Sequence, residues 1–233
     1  MGLWDNIFDS LGDAIQSPDT SAETKVACVE TIRYICEDLS DANLPPVMVS
    51  KVMMLILHCL QQNQCTELWD EAIQALDKAL AFADEFMKNE EQCRCVMEAV
   101  YNSLHSTNLD VQGHAFQCLG EIFDFFYALV PPFFQLFYTE CENAIRGNVP
   151  DIAIQAAFTL NILANVELEC KDTAEFKGLC QQCYTQLAQV LCEAMTRQEE
   201  DDDGETMTPA MAAATCLGGF AEVVGYGRCA RRA

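Results

Sequence analysis

Two pairs of cysteines are spaced closely enough to suggest metal chemistry: Cys180 and Cys183 form a CxxC, and Cys93 and Cys95 form a CxC. Thiolates are good zinc ligands, but a structural zinc site takes four ligands, and no second pair has suitable spacing. Cys180 and Cys183 are also i and i+3, which places them on one face of a helix, as core residues would be. We therefore expect no metal and no cofactor.

The other residues that could do chemistry do not form an enzyme motif. The chain has three histidines, all on or beside amphipathic segments that read as helices: His58, His105 and His114. None of them lies in a nucleophile motif, and a catalytic pairing with a cysteine cannot be read from their positions. The phosphate-binding P-loop and the GxGxxG fingerprint are also missing from the sequence. The sequence predicts a protein that is not an enzyme.

The densest charge lies in the segment QEEDDDGETMTP, residues 198–209. The spacing of its carboxylates does not match the alternating ligands of an EF-hand calcium loop. A run of like charges repels itself, so we expect a solvated loop between two helices. It is either an acidic finger that holds Lys and Arg groups of a partner, or a disordered linker. Its six acids are Glu199, Glu200, Asp201, Asp202, Asp203 and Glu205.

The whole chain is acidic as well. In 233 residues, 36 acids stand against 13 bases, for a net charge of −23. Such a field repels nucleic acid and anionic lipid, and its natural complement is a basic protein, although solubility alone is the alternative.

The 14 cysteines lie within apolar patterns, and the N-terminus resembles no signal peptide, so we expect free thiols in a reducing compartment. No stretch is apolar enough to predict insertion into a membrane.

A repeated pattern indicates which elements position these residues. In five segments, a small residue stands four positions before a large aliphatic one, so that both share one helix face. The first four segments recur every 41 to 44 residues, the spacing of HEAT and armadillo units, and the last follows after 57. The segments are Ala27–Ile32, Glu71–Leu76, His114–Leu119, Gln155–Leu160 and Ala212–Leu217.

An amphipathic segment precedes each of these segments, so each unit reads as a pair of helices. In four units an acid stands at the predicted start of the second helix, where it can cap free N–H groups and meet the helix dipole. These acids are Glu23, Glu67, Asp110 and Asp151. The predicted first helices span Trp4–Gln16, Pro46–Gln61, Glu90–His105, Pro131–Arg146 and Phe176–Arg197.

We therefore predict an all-α fold, an α-α superhelix of about five HEAT repeats, because neighbouring units must stack to bury their apolar faces. The array is expected to occupy residues 1–225, with an irregular tail at 226–233. The predicted repeats span residues 3–40, 45–85, 89–128, 130–168 and 175–225, the last of which contains the acidic loop.

Four stretches resemble importin-β, the nuclear import receptor of the karyopherin family, in the same order along the chain. The most specific is the acidic insertion within a helix pair. The resemblance covers about residues 3–225 and an internal part of the family protein, so the chain looks like a fragment or a truncated gene model. The stretches are Glu30–Leu39, Phe116–Ile145, Val149–Glu169 and Leu191–Leu217.

The resemblance implies a function in transport through the nuclear pore. Its expected partners are Ran–GTP, an importin-α-type adaptor or basic cargo signal, and Phe-Gly nucleoporins, and its expected location is the cytoplasm and nucleus, including the nuclear envelope. The acidic loop would contact Ran and lie beside the adaptor. The alternatives are an exportin-like karyopherin or a HEAT scaffold without a transport role, such as the phosphatase-scaffold type.

The resemblance also implies a Phe-Gly site between the first helices of two adjacent repeats. In this sequence Cys95 stands where the family has an aromatic residue, and Gln92 or its neighbour Glu91 stands in place of an acid. The alternative is that these positions form an ordinary core between repeats. The implied site residues are Met53, Met54, Leu57, Gln92, Cys95 and Val96.

Overall fold

The computed structural model describes the backbone of residues 2–39, 44–62, 65–197 and 207–230, and the side chains of those from 6 to 225. Within these ranges the chain forms eleven α-helices and no β-strand. It divides into two compact units, Met1–Cys118 and Leu119–Ala233, which are described separately below. How the whole chain divides into repeats stays a prediction.

The first unit contains six complete helices and the start of a seventh. The first helix of each pair packs on the first helix of the next, α1 on α3 and α3 on α6, and the second helices α2 and α4 pack on each other. The helices are α1 (Gly2–Gln16), α2 (Ala22–Asp38), α3 (Pro46–Gln61), α4 (Thr66–Ala79), α5 (Asp84–Met87), α6 (Glu90–Leu104) and α7 (Leu109–Phe125).

The second unit repeats this arrangement after the end of α7. The first helices α8 and α10 pack together, as do the second helices α9 and α11. At Gly219 a Cβ atom would lie 2.8 Å from Asn161 Oδ1 and 3.3 Å from Ala164 Cβ, so the close approach of α9 and α11 requires a residue without a side chain. The helices are α8 (Phe134–Arg146), α9 (Pro150–Cys170), α10 (Leu179–Met195) and α11 (Pro209–Ala230).

The helix starts show how local sequence fixes these elements. Ser21 caps α2 by accepting a hydrogen bond from the Thr24 N–H, and Asn89 and Asn108 do the same for α6 and α7. The four acids predicted at the starts of second helices all lie in a first turn. At the starts of α2 and α7 the hydrogen-bonding cap is a neutral residue, so the acids Glu23 and Asp110 act there through their charge.

The small residues of the repeated pattern form the core, as predicted. Four of the five are fully buried: Ala72, Ala115, Ala156 and Ala213. The exception is Cys28, which is half-buried. All described cysteines are free thiols, and eight of them are buried. Burial raises the pKa of Cys36, Cys59 and Cys183 to about 12, so these thiols stay protonated and inert at neutral pH.

Several boundaries differ from the sequence prediction. Helix α8 starts at Phe134 rather than Pro131, because residues 131–133 form a turn, and α10 starts at Leu179 rather than Phe176. Gly178 precedes α10 with a φ of 69°, a conformation that glycine adopts without strain. Helix α11 continues to Ala230, so the prediction of an irregular tail from residue 226 is wrong for residues 226–230.

Candidate binding groove between helices α3 and α6

A groove lies between the first helices α3 and α6 of two successive pairs in the first unit. Its volume is about 480 Å³, within the range of small-ligand sites. Helix α3 lines it with Leu57, Leu60 and Gln61, helix α4 with Trp69, and helix α6 with Cys95, Glu98, Ala99 and Asn102. We call this site the α3–α6 groove.

The lining of the groove mixes apolar side chains with polar ones, and the polar side chains are the more exposed. Leu57 and Leu60 are only 5% and 6% exposed, so the α3 wall is firmly packed. Cys95 and Ala99 are i and i+4 on α6, which places two small side chains one above the other on one face. The exposed lining residues are all polar: Gln61, Glu98 and Asn102. The arrangement suits an apolar side chain on a peptide whose backbone can pair with polar groups at the rim.

The structure brings only part of the predicted Phe-Gly residue set to this groove. Leu57 and Cys95 line it. Met53 and Val96 are fully buried at 0% exposure and belong to the core. Met54 is 57% exposed and Gln92 is half-buried, and neither lines the groove. The groove therefore extends about one helical turn beyond the predicted residues, toward the C-terminal ends of both helices.

Trp69 is the lining residue that sequence reasoning missed as a site residue. Its indole Nε1–H donates to Ser103 Oγ at 2.9 Å, and the Ser103 hydroxyl donates to the Ala99 carbonyl at 2.9 Å. This chain of hydrogen bonds fixes the ring and satisfies its only donor. One signal was available in the sequence: Trp69 stands seven positions before the aliphatic anchor, where many HEAT units carry a basic residue.

Polar pairs link the second helices of the first unit. Arg33 on α2 donates to Glu71 on α4 at 2.9 Å, and His114 on α7 pairs with Asp70 on α4 at 2.7 Å. The hydrogen bond to Asp70 raises the pKa of His114 above its ordinary value, with further contributions from the charges of Asp70, Asp110 and Asp77 against the opposing effect of burial.

The acidic segment Glu199–Glu205 lies outside the residues that the structure describes. The described residues on both sides of this segment are held by hydrogen bonds. Before it, the Arg197 guanidinium donates to three carbonyls at the end of α8, those of Ile145, Arg146 and Gly147, at 2.8–3.0 Å. After it, Thr208 caps α11 by accepting a hydrogen bond from the Met211 N–H at 3.2 Å.

Two other kinds of site were sought in the described part of the chain. No group of three or more His, Cys, Asp or Glu residues there is arranged to hold a metal ion. None of the helices in the described ranges combines the length and the apolar character needed to cross a bilayer.

Comparison with known proteins identifies relatives along most of the chain. No protein-family model matches it. Importin subunit beta-1 of Arabidopsis thaliana is 27% identical over 88% of this chain and 25% of its own length. Importin subunit beta-1 of Schizosaccharomyces pombe is 27% identical over 95% of this chain and 27% of its own length. The chain thus spans about a quarter of the length of these curated relatives, and the resemblance to importin-β is confirmed.

Solved structures match as well. Yeast importin-β, Kap95p, superposes with a TM-score of 0.87 over 96% of this chain and 28% of its own length, at 19% identity. A complex of Kap95p with Nup1 matches with a TM-score of 0.82 over 94% of this chain and 27% of that one, at 20% identity. A complex of Kap95p with RanGDP gives 0.81 over 94% and 26%, at 20% identity. These structures confirm the fold class, an all-α HEAT-repeat solenoid.

Proposed function

We propose that this chain is a segment of a nuclear import receptor of the importin-β type, which carries proteins through the nuclear pore between cytoplasm and nucleus. One observation carries the proposal: the helix pairs match importin subunit beta-1 along 88–95% of the chain. A HEAT array acts through extended surfaces rather than through a reaction centre. Three kinds of partner follow from the proposal, and each has its own support.

The first partner is a Phe-Gly repeat of a nucleoporin, bound in the α3–α6 groove. Leu57, Leu60 and Ala99 supply the apolar part of the lining that a phenylalanine ring would contact, and Gln61 and Asn102 at the rim can pair with a flexible backbone. A solved structure with the same fold is a complex with Nup1. One groove that holds one ring binds weakly, as transient passage through the pore requires.

The second and third partners are Ran–GTP and a basic adaptor or cargo signal. The six acids of residues 199–205 supply a dense negative charge for Lys and Arg groups, and the net charge of −23 steers a basic partner toward the chain. The matched complex of Kap95p with RanGDP supports an interaction with Ran in this fold. The described residues on either side of the segment, Arg197 and Thr208, are held by hydrogen bonds to the ends of α8 and α11.

The test measures binding of the full chain to Ran loaded with GTP or GDP, and to a Lys/Arg-rich adaptor peptide, at 50 and 200 mM salt. We expect tighter binding to the GTP form, and at least a tenfold loss of adaptor affinity at the higher salt, because exposed charge attraction is screened. A variant with the six acids changed to their amides should weaken both interactions. Equal affinity for both forms of Ran, unchanged in that variant, would contradict the proposal.

A further inference from the structure

We propose that Thr20, in the turn between α1 and α2, is a phosphorylation site for an acid-directed serine/threonine kinase, and that Lys25 holds the phosphate in a cavity beside the turn. Such a kinase selects an acid three residues after the hydroxyl that it modifies. The cavity lies between the start of α2 and the end of α3, so the phosphate would link the first helix pair to the second. This modification is independent of the transport function proposed above.

Five hydroxyl residues in the sequence stand three positions before an acid, as an acid-directed kinase requires. Only some of them are available for phosphorylation, because a kinase needs an acceptor in an accessible, non-helical segment with a hydroxyl that is free to react. The five are Ser10, Thr20, Thr107, Thr139 and Thr196, which precede Asp13, Glu23, Asp110, Glu142 and Glu199, respectively.

Three of the five hydroxyls already donate hydrogen bonds to the backbone. Ser10 and Thr139 lie inside α1 and α8, and each donates to the carbonyl four residues earlier, at 2.9 and 2.8 Å. Thr196 lies at the end of α10 and donates to the carbonyl three residues earlier, at 2.8 Å. The other two, Thr20 and Thr107, each lie in a turn directly before the capping residue of a second helix.

The turn that carries Thr20 is accessible, and its other hydroxyls already have hydrogen-bond partners. Residues 18–24 are exposed apart from Thr20, which is half-buried. Ser17 accepts a hydrogen bond from the Asp19 N–H, and Ser21 caps α2. The Thr20 hydroxyl makes no hydrogen bond with the residues that the structure describes. Phosphorylation of Thr20 therefore breaks no described hydrogen bond.

The cavity beside this turn has a volume of about 410 Å³ and a lining that suits an anion. Lys25 is the charged residue among those that line it, no acid is among them, and Lys25 forms no ion pair with another described residue. In a chain with a net charge of −23, a lining with a cation and no acid is unusual. The described lining residues are Thr20, Ala22, Lys25, Gln61, Gln62, Cys65 and Leu68.

The surrounding charges favour a position of the phosphate inside the cavity. A phosphothreonine carries a charge of about −1.5 to −2 at neutral pH and accepts hydrogen bonds on three oxygens. Lys25 can pair with it, the side-chain amides of Gln61 and Gln62 can donate to it, and the N-terminus of α2 favours negative charge. Glu23 and Glu67 repel it, but neither carboxylate lines the cavity.

The phosphoryl donor is MgATP, which the kinase supplies. A bond forms between Thr20 Oγ1 and the γ-phosphorus, and the bond from that phosphorus to the bridging oxygen of ADP breaks. The hydroxyl proton passes to the catalytic carboxylate of the kinase, and no atom is oxidised or reduced. Glu23 takes no part in this transfer, because its role is to be recognised by basic residues of the kinase.

The turn between α6 and α7 offers a natural control. Thr107 is exposed, precedes the capping residue Asn108, and makes no hydrogen bond through its hydroxyl with a described residue. It differs in its charge environment along the chain, because the sequence contains no Lys or Arg between Arg94 and Arg146. A phosphate on Thr107 would meet the charge of Asp110 without a neighbouring lysine, so we expect it not to stabilise the fold.

The experiment treats the full chain with MgATP and a purified acid-directed serine/threonine kinase, and mass spectrometry after proteolysis locates the phosphates. Thr107→Val leaves Thr20 as the acceptor in a turn, and Thr20→Val leaves Thr107. Thermal unfolding followed by circular dichroism compares each variant before and after phosphorylation. Added to Thr107→Val, Lys25→Gln removes the cation of the cavity, and Lys177→Gln, at an exposed lysine of the second unit, controls for the lost charge.

We expect phosphate on both turn residues. In Thr107→Val, phosphorylation should raise the midpoint of thermal unfolding by at least about 2 °C, because a charge-assisted pair forms. The added Lys25→Gln should abolish this rise and Lys177→Gln should retain it, whereas phosphorylated Thr20→Val should show none. Phosphate absent from Thr20, or found only on the three helix-bound hydroxyls, would overturn the site. A rise that survives Lys25→Gln would overturn the role of the cavity.

Discussion

The α3–α6 interface in the first unit and the α8–α10 interface in the second join the same kind of helices in different ways. Across α8–α10, Arg146 donates to Glu193 at 2.7 Å and to Glu142 on its own helix at 3.1 Å, and Gln186 donates to Glu142. Between α3 and α6, no hydrogen bond or ion pair is seen among the described residues. One interface is bridged by long polar side chains, and the other leaves a groove.

This difference shows that the HEAT fold determines the positions of neighbouring first helices. It does not determine whether a groove remains between them. Helix α6 carries small side chains at Cys95 and Ala99, whereas α8 and α10 carry long side chains that reach across. Exposed ion pairs contribute little to stability, so the polar bridge mainly occupies the surface that a ligand would use. A few side chains at each interface therefore determine whether a groove remains between neighbouring first helices.

The second unit also has a hydrogen-bond network around a buried carboxylate, whereas the buried polar residue described in the first unit is the uncharged Ser103. Glu167 on α9 is 0% exposed and accepts hydrogen bonds from the Tyr127 hydroxyl and from the N–H groups of Leu179 and Cys180 at the start of α10. The Tyr127 hydroxyl accepts one from the Lys177 N–H at 2.8 Å. Burial, and then the bond to Glu167, raise the pKa of Tyr127.

The largest effect is expected when this network is broken. Glu167→Ala leaves a buried hydroxyl and two N–H groups at a helix start without their acceptor, so we expect it to lower the free energy of unfolding by about 3 kcal/mol. Urea unfolding followed by circular dichroism measures the change. The exposed Glu169→Ala on the same helix is the control and should change little. A loss below about 1 kcal/mol for Glu167→Ala would show that the second unit does not depend on its polar network.

A smaller effect on the free energy of unfolding is expected at the His114–Asp70 pair of the first unit. Because the pKa of His114 is raised in the folded chain, its protonated form stabilises the fold. That contribution is fully present below the unfolded pKa of about 6.5 and is lost as pH rises through the higher folded pKa. We expect His114→Gln to lower the free energy of unfolding by about 1 kcal/mol at pH 6 and by less at pH 9.

Unfolding at a series of pH values checks this prediction. The control is Asp70→Asn, which removes the partner carboxylate and should abolish most of the pH dependence that separates the unmodified chain from His114→Gln. A His114→Gln effect that grew with rising pH would contradict the sign, and would place the neutral form of His114 in the stabilising role. Either outcome tells whether the charge of His114 contributes to the stability of the second helices of the first unit.

The smallest effect on stability is expected when the exposed ion pair between Arg146 and Glu193 is removed. Arg146 and Glu193 are 42% and 60% exposed, so Arg146→Met should shift the midpoint of thermal unfolding by at most about 2 °C, and less at high salt. Arg94→Met on α6, whose nearest carboxylate lies 3.8 Å away on the same helix, is the matched control. A much larger shift for Arg146→Met alone would show that the bridge stabilises the second unit rather than merely occupying its surface.

The sequence alone determined the helices, their pairing and most of the core. A helix has a local period of 3.6 residues, so small and aliphatic residues four positions apart must share a face, and Ala72 with Leu76 or Ala156 with Leu160 are indeed buried. The N-terminus of a helix such as α6 is determined by its capping residue and the next few residues, so it can also be predicted from the local sequence. The resemblance to importin-β likewise came from the order of contiguous motifs.

Only the tertiary structure decided which part of the α3 and α6 stripes lines the groove. Periodicity orients a residue about its own helix axis, but exposure depends on a neighbouring helix from a distant part of the chain. Met53 and Val96 are thus buried and Met54 is exposed, although all three were predicted for one site. Trp69 reaches the groove from α4, about twenty residues before the start of α6, and no local pattern relates positions so far apart.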